Sequence, residues 1–266
     1  MSLLWLTDIH LEFLSPVELK RFLVRLAQAR GDALLITGDI SQAPTLEAHL
    51  RILERLLERP IYFVLGNHDF YSGSIAGVRT LATRLTRESP HTRWLPAVGV
   101  VPLSFDTALV GHDGWADARL GDPVNSRAVL NDFKLIEDFV GLELADRTAL
   151  QHRLGDEAAA YLRSVLPAAL RDYRRVIVAT HVPPFAEASW HMGRMSDEDW
   201  LPHFACKATG DVLRQMMEDY PDREMLVLCG HTHSPHEVRI RPNLVVRSGG
   251  AKYGEPGVQG TVNGEQ

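Results

Sequence analysis

The sequence predicts an α/β domain. Two observations carry that expectation. Short, continuous apolar runs stop abruptly in polar residues, and segments of helical period lie between them. Strands that are apolar throughout belong to a sheet buried on both faces, as βαβ units build it. Composition agrees: with 45% hydrophobic residues over 266 positions and a net charge of only −6, the chain can bury a sizeable core and is not disordered.

Leu3 to Leu6 is the first strand, ending in Thr7-Asp8-Ile9-His10. Ser15-Pro16-Val17-Glu18 then starts a helix. Ser15 can accept the backbone N–H three residues on, Glu18 can reach back, and Pro16 takes the first helical position. Apolar residues at 19, 22, 23 and 26 continue it, and Gly31 is expected to end it. Ala33 to Ile36 is the second strand, stopping at Gly38-Asp39. A helix over 45–58 leads to a third, Ile61 to Leu65, stopping at Gly66-Asn67-His68-Asp69. Val98 to Leu103 and Thr107 to Gly111 read as a hairpin or two neighbouring strands, and 112–142 as a long surface excursion. A helix rich in Ala and Leu covers 143–171. Val176 to Ala179 and Met225 to Cys229 are strands ending at Thr180-His181 and Gly230-His231-Thr232-His233. Glu237 to Ile240 and Leu244 to Arg247 follow as strands, before a glycine-rich stretch from Gly249 expected as loop or partly disordered. No interdomain linker stands out, so residues 1–250 are expected as one domain and 251–266 as a tail.

Several function classes are excluded early. No run of about 18 apolar residues could span a membrane. No signal peptide is visible at the N-terminus, and two cysteines cannot build a disulfide framework, so a cytoplasmic setting is expected. Lys+Arg 28 against Asp+Glu 34 argues against a nucleic-acid polymer as partner, because polyphosphates need an extended basic surface. The oligomeric state is left open.

The polar clusters carry the chemistry. In open α/β sheets ligands bind beyond the carboxyl ends of strands, so the clusters are expected to converge on one rim. They hold Asp8, His10, Asp39, Asn67, His68, His181, His231 and His233. Carboxylate, imidazole and carboxamide oxygen suit Mn, Fe or Zn rather than a soft thiolate site. Asp8-x-His10 and His231-x-His233 can each converge on a centre if the chain turns. So many ligands overfill one open centre, and a carboxylate such as Asp39 can bridge two ions roughly 3.5–4 Å apart. Alone, each cluster reads as a turn or a helix cap; their recurrence at strand ends favours a site.

In this order, Asp8-x-His10, Gly38-Asp39, Gly66-Asn67-His68-Asp69, His181 and Gly230-His231-Thr232-His233 resemble the calcineurin-like metallophosphoesterase superfamily. The resemblance implies a four-layer α/β/β/α sandwich of two mixed sheets. It implies that two divalent or trivalent ions (Mn, Fe or Zn) are bound, one by Asp8, His10 and His233, the other by Asn67, His181 and His231, with Asp39 bridging. It implies attack by a hydroxide bridging the ions. His68 would donate to the phosphoryl oxygen or protonate the leaving group, and Asp69 would orient backbone or imidazole.

The expected activity is hydrolysis of a small phosphoester. The second cluster lacks the longer Asp-Arg-Gly continuation of the superfamily's protein phosphatases, so a phosphodiesterase on a small or nucleotide-type diester is favoured. The alternatives are a phosphomonoesterase on a small metabolite and a non-catalytic interaction module. Residues 112–142 and 184–206 match no superfamily cluster and are expected to set substrate choice, the second as a flap. Within it, Trp190, His191 and Arg194 suit an ester with an organic group, the alternative being a surface loop with a buried Trp. His112 to Trp115 follow a strand and could reach the rim. His49, His91, His152 and His236 are expected to be solvated or packing residues, and Arg119, Arg127 and Lys252 to lie on a solvated face.

Overall fold

The computed structural model describes residues 1–264. In chain order the elements are β1 (Ser2–Leu6), α1 (Pro16–Gln28), β2 (Ala33–Thr37), α2 (Ala43–Leu57), β3 (Ile61–Val64), α3 (Ile75–Glu88), β4 (Thr92–Trp94), α4 (Leu95–Val98), β5 (Val101–Pro102) and β6 (Thr107–Gly111). There follow α5 (Asp132–Leu135), α6 (Leu144–Asp172), β7 (Arg175–Ala179), β8 (Trp190–His191), β9 (Arg194–Met195), α7 (Leu201–Phe204), α8 (Lys207–Asp219), β10 (Glu224–Cys229), β11 (His236–Arg241), β12 (Leu244–Ser248) and β13 (Gly260–Asn263).

Two mixed sheets face each other. One has the order β13-β1-β2-β3-β4, parallel from β1 to β4 with β13 antiparallel at its edge. The other has the order β11-β12-β10-β7-β6-β5, its four central strands parallel and both edges antiparallel. Alternate residues of each strand enter different layers. Leu4, Leu6, Leu34 and Ile36 pack outward against α1, α2 and α3. Leu3, Trp5, Ala33 and Leu35 meet Leu109, Ile177 and Leu228 between the sheets. Val176, Val178 and Val227 pack outward with Leu162, Leu166 and Leu213 of α6 and α8. This is the four-layer sandwich, and it accounts for the continuous apolar runs: both faces of β1, β2, β3, β6 and β7 are buried.

Local rules hold well at α1. Ser15 and Glu18 form the reciprocal cap, Glu18 Oε2 accepting from Ser15 N at 2.9 Å. Gly31, however, does not end the helix, which stops at Gln28 with Ala29 extended. Gly31 is instead pressed against Leu4, where a Cβ would sit 2.6 Å from Leu4 Cγ. The 29-residue α6 carries Pro167 in its interior.

Three sequence expectations need correcting. Helices α3, α4, α5, α7 and α8 and strands β4, β8 and β9 are additional elements. The stretch after Gly249 is not loop throughout, because β13 pairs with β1, Val262 opposite Leu3; the last two residues of the tail lie outside the described residues. Nor is 112–142 all surface: residues from His112 to Ala118 are buried, and so is Asp132. Among the described residues no helix is long and apolar enough to cross a membrane.

Candidate metal centre

The parallel strands β1, β2, β3, β7 and β10 all point the same way, so the segments that follow them emerge on one rim. Backbone bonds stitch these segments together: Asp8 N donates to Gly38 O (3.0 Å), His10 N to Asp39 O (3.0 Å) and Gly230 N to His181 O (2.9 Å). Asp8, His10, Asp39, His231 and His233 have φ between 40° and 71°. Left-handed backbone costs a non-glycine residue energy and clusters at functional sites. Here it bends the chain so that Asp8 and His10, two residues apart, face a common point, while His231 and His233 turn toward two neighbouring groups. The glycines of these clusters are needed for close approach: a Cβ on Gly66 would overlap Asp39 Oδ1, and one on Gly230 would overlap Asp8.

All eight predicted site residues come together. In one group, His233 Nε2 lies 3.3 Å from Asp8 Oδ1 and 3.3 Å from His10 Nε2, which is 3.6 Å from Asp39 Oδ2. In a second, Asn67 Oδ1 is 3.1 Å from His181 Nε2 and 3.0 Å from His231 Nδ1. The two imidazoles are 3.2 Å apart, and His181 Nε2 is 3.4 Å from Asp39 Oδ1. The two oxygens of Asp39 thus face different groups.

Proton inventory decides what such a cluster can hold. His181 Nδ1 donates to Thr37 O (2.9 Å) and His231 Nε2 to His203 O (2.9 Å), so each neutral ring turns a bare nitrogen inward. The Asn67 amide donates to Asp132 Oδ1 (2.8 Å), which turns its oxygen inward as well. His181 Nε2, His231 Nδ1 and Asn67 Oδ1 therefore offer only lone pairs to one another. Burial drives the His181 and His231 imidazoles down to about 4 and about 3, so both are neutral at pH 7. Ligands held at about 2.1 Å stand about 3.0–3.4 Å apart around an octahedral or tetrahedral ion, the spacing found here. Carboxylate crowding points the same way: burial, then Asp8 and Asp69, push Asp39 well above the usual range. Burial opposes ionisation of Asp8 too, but its bond to His233 and the nearby imidazoles outweigh that and hold it low. A set of converging lone pairs short of positive charge fits cations. Carboxylate and imidazole atoms lie within 4.8 Å of one another in two clusters that share His10: Asp8, His10, Asp39 and His233, and His10, Glu12 and His68. Together they are consistent with a dinuclear metal centre.

The profile of the family described as calcineurin-like phosphoesterase matches residues 1–235. The chain belongs to that family. It is a hydrolase of the metallophosphoesterase superfamily. No curated protein shows a significant sequence match. Among solved structures, the phosphopantetheinyl hydrolase of Mycobacterium tuberculosis superposes with a TM-score of 0.64 at 16% identity, covering 94% of this chain and 89% of that one. A dimetal phosphatase of Danio rerio superposes with a TM-score of 0.56 at 13% identity, covering 94% and 87%.

On this calcineurin-like frame, several residues that sequence reasoning missed surround the cluster. Glu12 faces His10 Nδ1 at 3.3 Å and His68 Nδ1 at 3.7 Å, and its buried Oε2 has no hydrogen-bond partner among the described residues. Metal-ligating histidines commonly donate their second nitrogen to a carboxylate, so an acid two residues after His10 was a usable signal. Asp132 accepts from Asn67 and from the Tyr71 hydroxyl (2.7 Å), and no local pattern in 112–142 announces it. Burial and the Asp132 carboxylate hold the Tyr71 phenol protonated as that donor. Asp69 binds backbone as the resemblance implies, accepting from Ile40, Ser41 and Gly66 N at 2.8–2.9 Å.

Other singled-out residues are occupied elsewhere. His112 is buried beside Tyr161, and Asp113 accepts from Leu65 N and Trp94 Nε1. Trp190 stacks on His236 at 4.1 Å and donates to Glu187 O. Arg194 faces Asp197, and Arg119, Arg127 and Lys252 each pair with a carboxylate. From 184–206, His203 gives its carbonyl to His231 and Phe204 packs edge-on against the same ring. Cys206 and Cys229 are free and buried, their thiols pushed up to about 12 by burial.

Proposed function

We propose that this phosphoesterase hydrolyses a small or nucleotide-type phosphodiester. The carrying observation is the charge of the walls. The eight site residues bond and pair with carboxylates, imidazoles, hydroxyls and backbone, and among the described residues no Arg or Lys joins them. A monoester dianion brings a second charge that a basic side chain ordinarily meets, whereas a diester is a monoanion. One structural neighbour is named a phosphopantetheinyl hydrolase and the other a dimetal phosphatase, but at 16% and 13% identity neither transfers its substrate.

Asp8, His10 and His233 would hold one ion and Asn67, His181 and His231 the other, with Asp39 offering one carboxylate oxygen to each. When bound, two such ions neutralise charge on phosphoryl oxygens and supply a water nucleophile at neutral pH. Around them the chain orients and protonates. His68 N donates to Asp39 Oδ1 (2.9 Å) and holds the bridging carboxylate in place. The His68 ring stacks on Tyr71 at 4.2 Å with Nδ1 toward Glu12, which leaves Nε2 to carry a proton to the departing alkoxide. Asp132 keeps the oxygen of Asn67 turned inward. Asp132→Ala should therefore weaken the ion on Asn67, His181 and His231 about 10–100-fold and spare the other, read as manganese bound per chain at limiting Mn²⁺.

Hydrolysis of bis-p-nitrophenyl phosphate beside p-nitrophenyl phosphate tests the reading, with Mn²⁺ restored after chelation and Asp39→Asn as blank. Diester turnover above the blank is expected. Turnover of the monoester alone moves the assignment to a phosphomonoesterase. Silence on both from protein that retains no manganese leaves an interaction module.

A further inference from the structure

Two aromatic rings stand half-exposed over the candidate ligands. Tyr253 is 50% exposed and Phe13 51%, and they meet edge to face at 5.0 Å. The Tyr253 ring lies 4.6 Å from His10, 5.0 Å from His233 and 6.1 Å from His68; Phe13 lies 5.9 Å from His10. Neither is on a loose strand of chain. Phe13 N donates to His10 O in the turn directly after β1. Tyr253 rides on a loop closed at its neck by Gln259, whose side chain accepts from Gly250 N (2.9 Å) and donates to Gly250 O (2.7 Å). The same loop is tied to the rim by Ala251 N to His233 O (3.2 Å) and to β1 by Gln259 N to Trp5 O (2.8 Å).

Apolar surface of this kind, held rigidly beside a polar centre, is what a ligand pocket offers to an organic group. The Tyr253–Phe13 pair borders His10, the imidazole that packs edge-on against His68 at 4.5 Å. Trp190, the aromatic residue singled out for contact with an organic group, is stacked on His236 instead.

We propose that Tyr253 and Phe13 form the leaving-group slot, taking a planar aromatic group on the ester oxygen that departs beside His68. The assignment of that side rests on His68 as proton donor in the phosphoesterase reading. The slot makes the enzyme selective for aryl or base-bearing esters over alkyl ones of equal charge.

Calorimetric titration of the manganese-loaded protein with phenylphosphonate and methylphosphonate separates slot from chemistry, because neither compound is cleaved. Phenylphosphonate should bind about tenfold tighter to the wild type, as aromatic contacts of this kind allow. Tyr253→Ala and Phe13→Ala should each shrink that ratio to about twofold, with manganese stoichiometry unchanged, and Tyr253→Phe should preserve it. Equal binding of the two compounds by the wild type overturns the slot, as does a ratio that survives both alanine substitutions. A preference for phenylphosphonate in protein that cleaves neither nitrophenyl ester would keep Tyr253 and Phe13 as an aromatic-binding surface and overturn their assignment to the leaving group. Failure of both phosphonates to bind overturns the slot and leaves the hydrolytic reading to the nitrophenyl esters.

Discussion

Asp39→Asn should cost the protein both ions together and bring hydrolysis down to background. Each carboxylate oxygen faces a different cluster, Oδ1 toward His181 Nε2 and Oδ2 toward His10 Nε2. An amide offers one oxygen and turns N–H bonds toward the other set of lone pairs, so no rotamer serves both. The residue is buried and water cannot substitute for it. Stability should move oppositely in the metal-free and loaded proteins. In the metal-free chain, burial and the neighbouring Asp8 and Asp69 raise Asp39 well above its ordinary 3.8. The folded state then binds a proton that the unfolded state has released, so this group's contribution is intact below 3.8 and drains away as pH rises. Metal-free Asp39→Asn should therefore melt higher than metal-free wild type, by a margin that widens above pH 4. With Mn²⁺ present the order should reverse, because an ion bound only by the folded state stabilises it. Thermal melts in chelator and in Mn²⁺, with manganese counted per chain, check both halves. Selective loss of one ion would show that Asp39 does not bridge.

His68→Ala should do the opposite: both ions retained, and diester turnover reduced by about 10²–10⁴-fold, the range for a general acid. The loss should be smaller for a nitrophenolate leaving group, which needs little protonation, than for an alkyl alcohol. The comparison is informative because His68 has a second possible role. With His10 and Glu12 it forms a cluster of ligand atoms within 4.8 Å. Loss of an ion in His68→Ala would assign His68 to the metal centre instead.

The order of strands, the turn chemistry of α1 and the inventory of the centre were legible along the chain, because each is written in neighbouring residues. An apolar run ending in Asp-x-His or Gly-Asn-His states both the strand and the polar cluster at its tip. Left-handed φ at Asp8, His10 and His233 is a local consequence of that same tight turn. What the sequence by itself determined was therefore the class of fold, the rim on which its polar clusters gather and the chemistry those clusters hold. Tertiary structure alone decided how the centre is oriented. Asp132 sets the Asn67 amide from 65 residues away, and the carbonyl of His203 selects the tautomer of His231. Tyr253 reaches His10 from a glycine-rich stretch that carries no periodic signal, brought there because β13 closes the first sheet against β1. The physical reason is range. Propensity and periodicity act over a few residues, while a hydrogen bond or a ring contact between distant segments exists only once packing has brought them together.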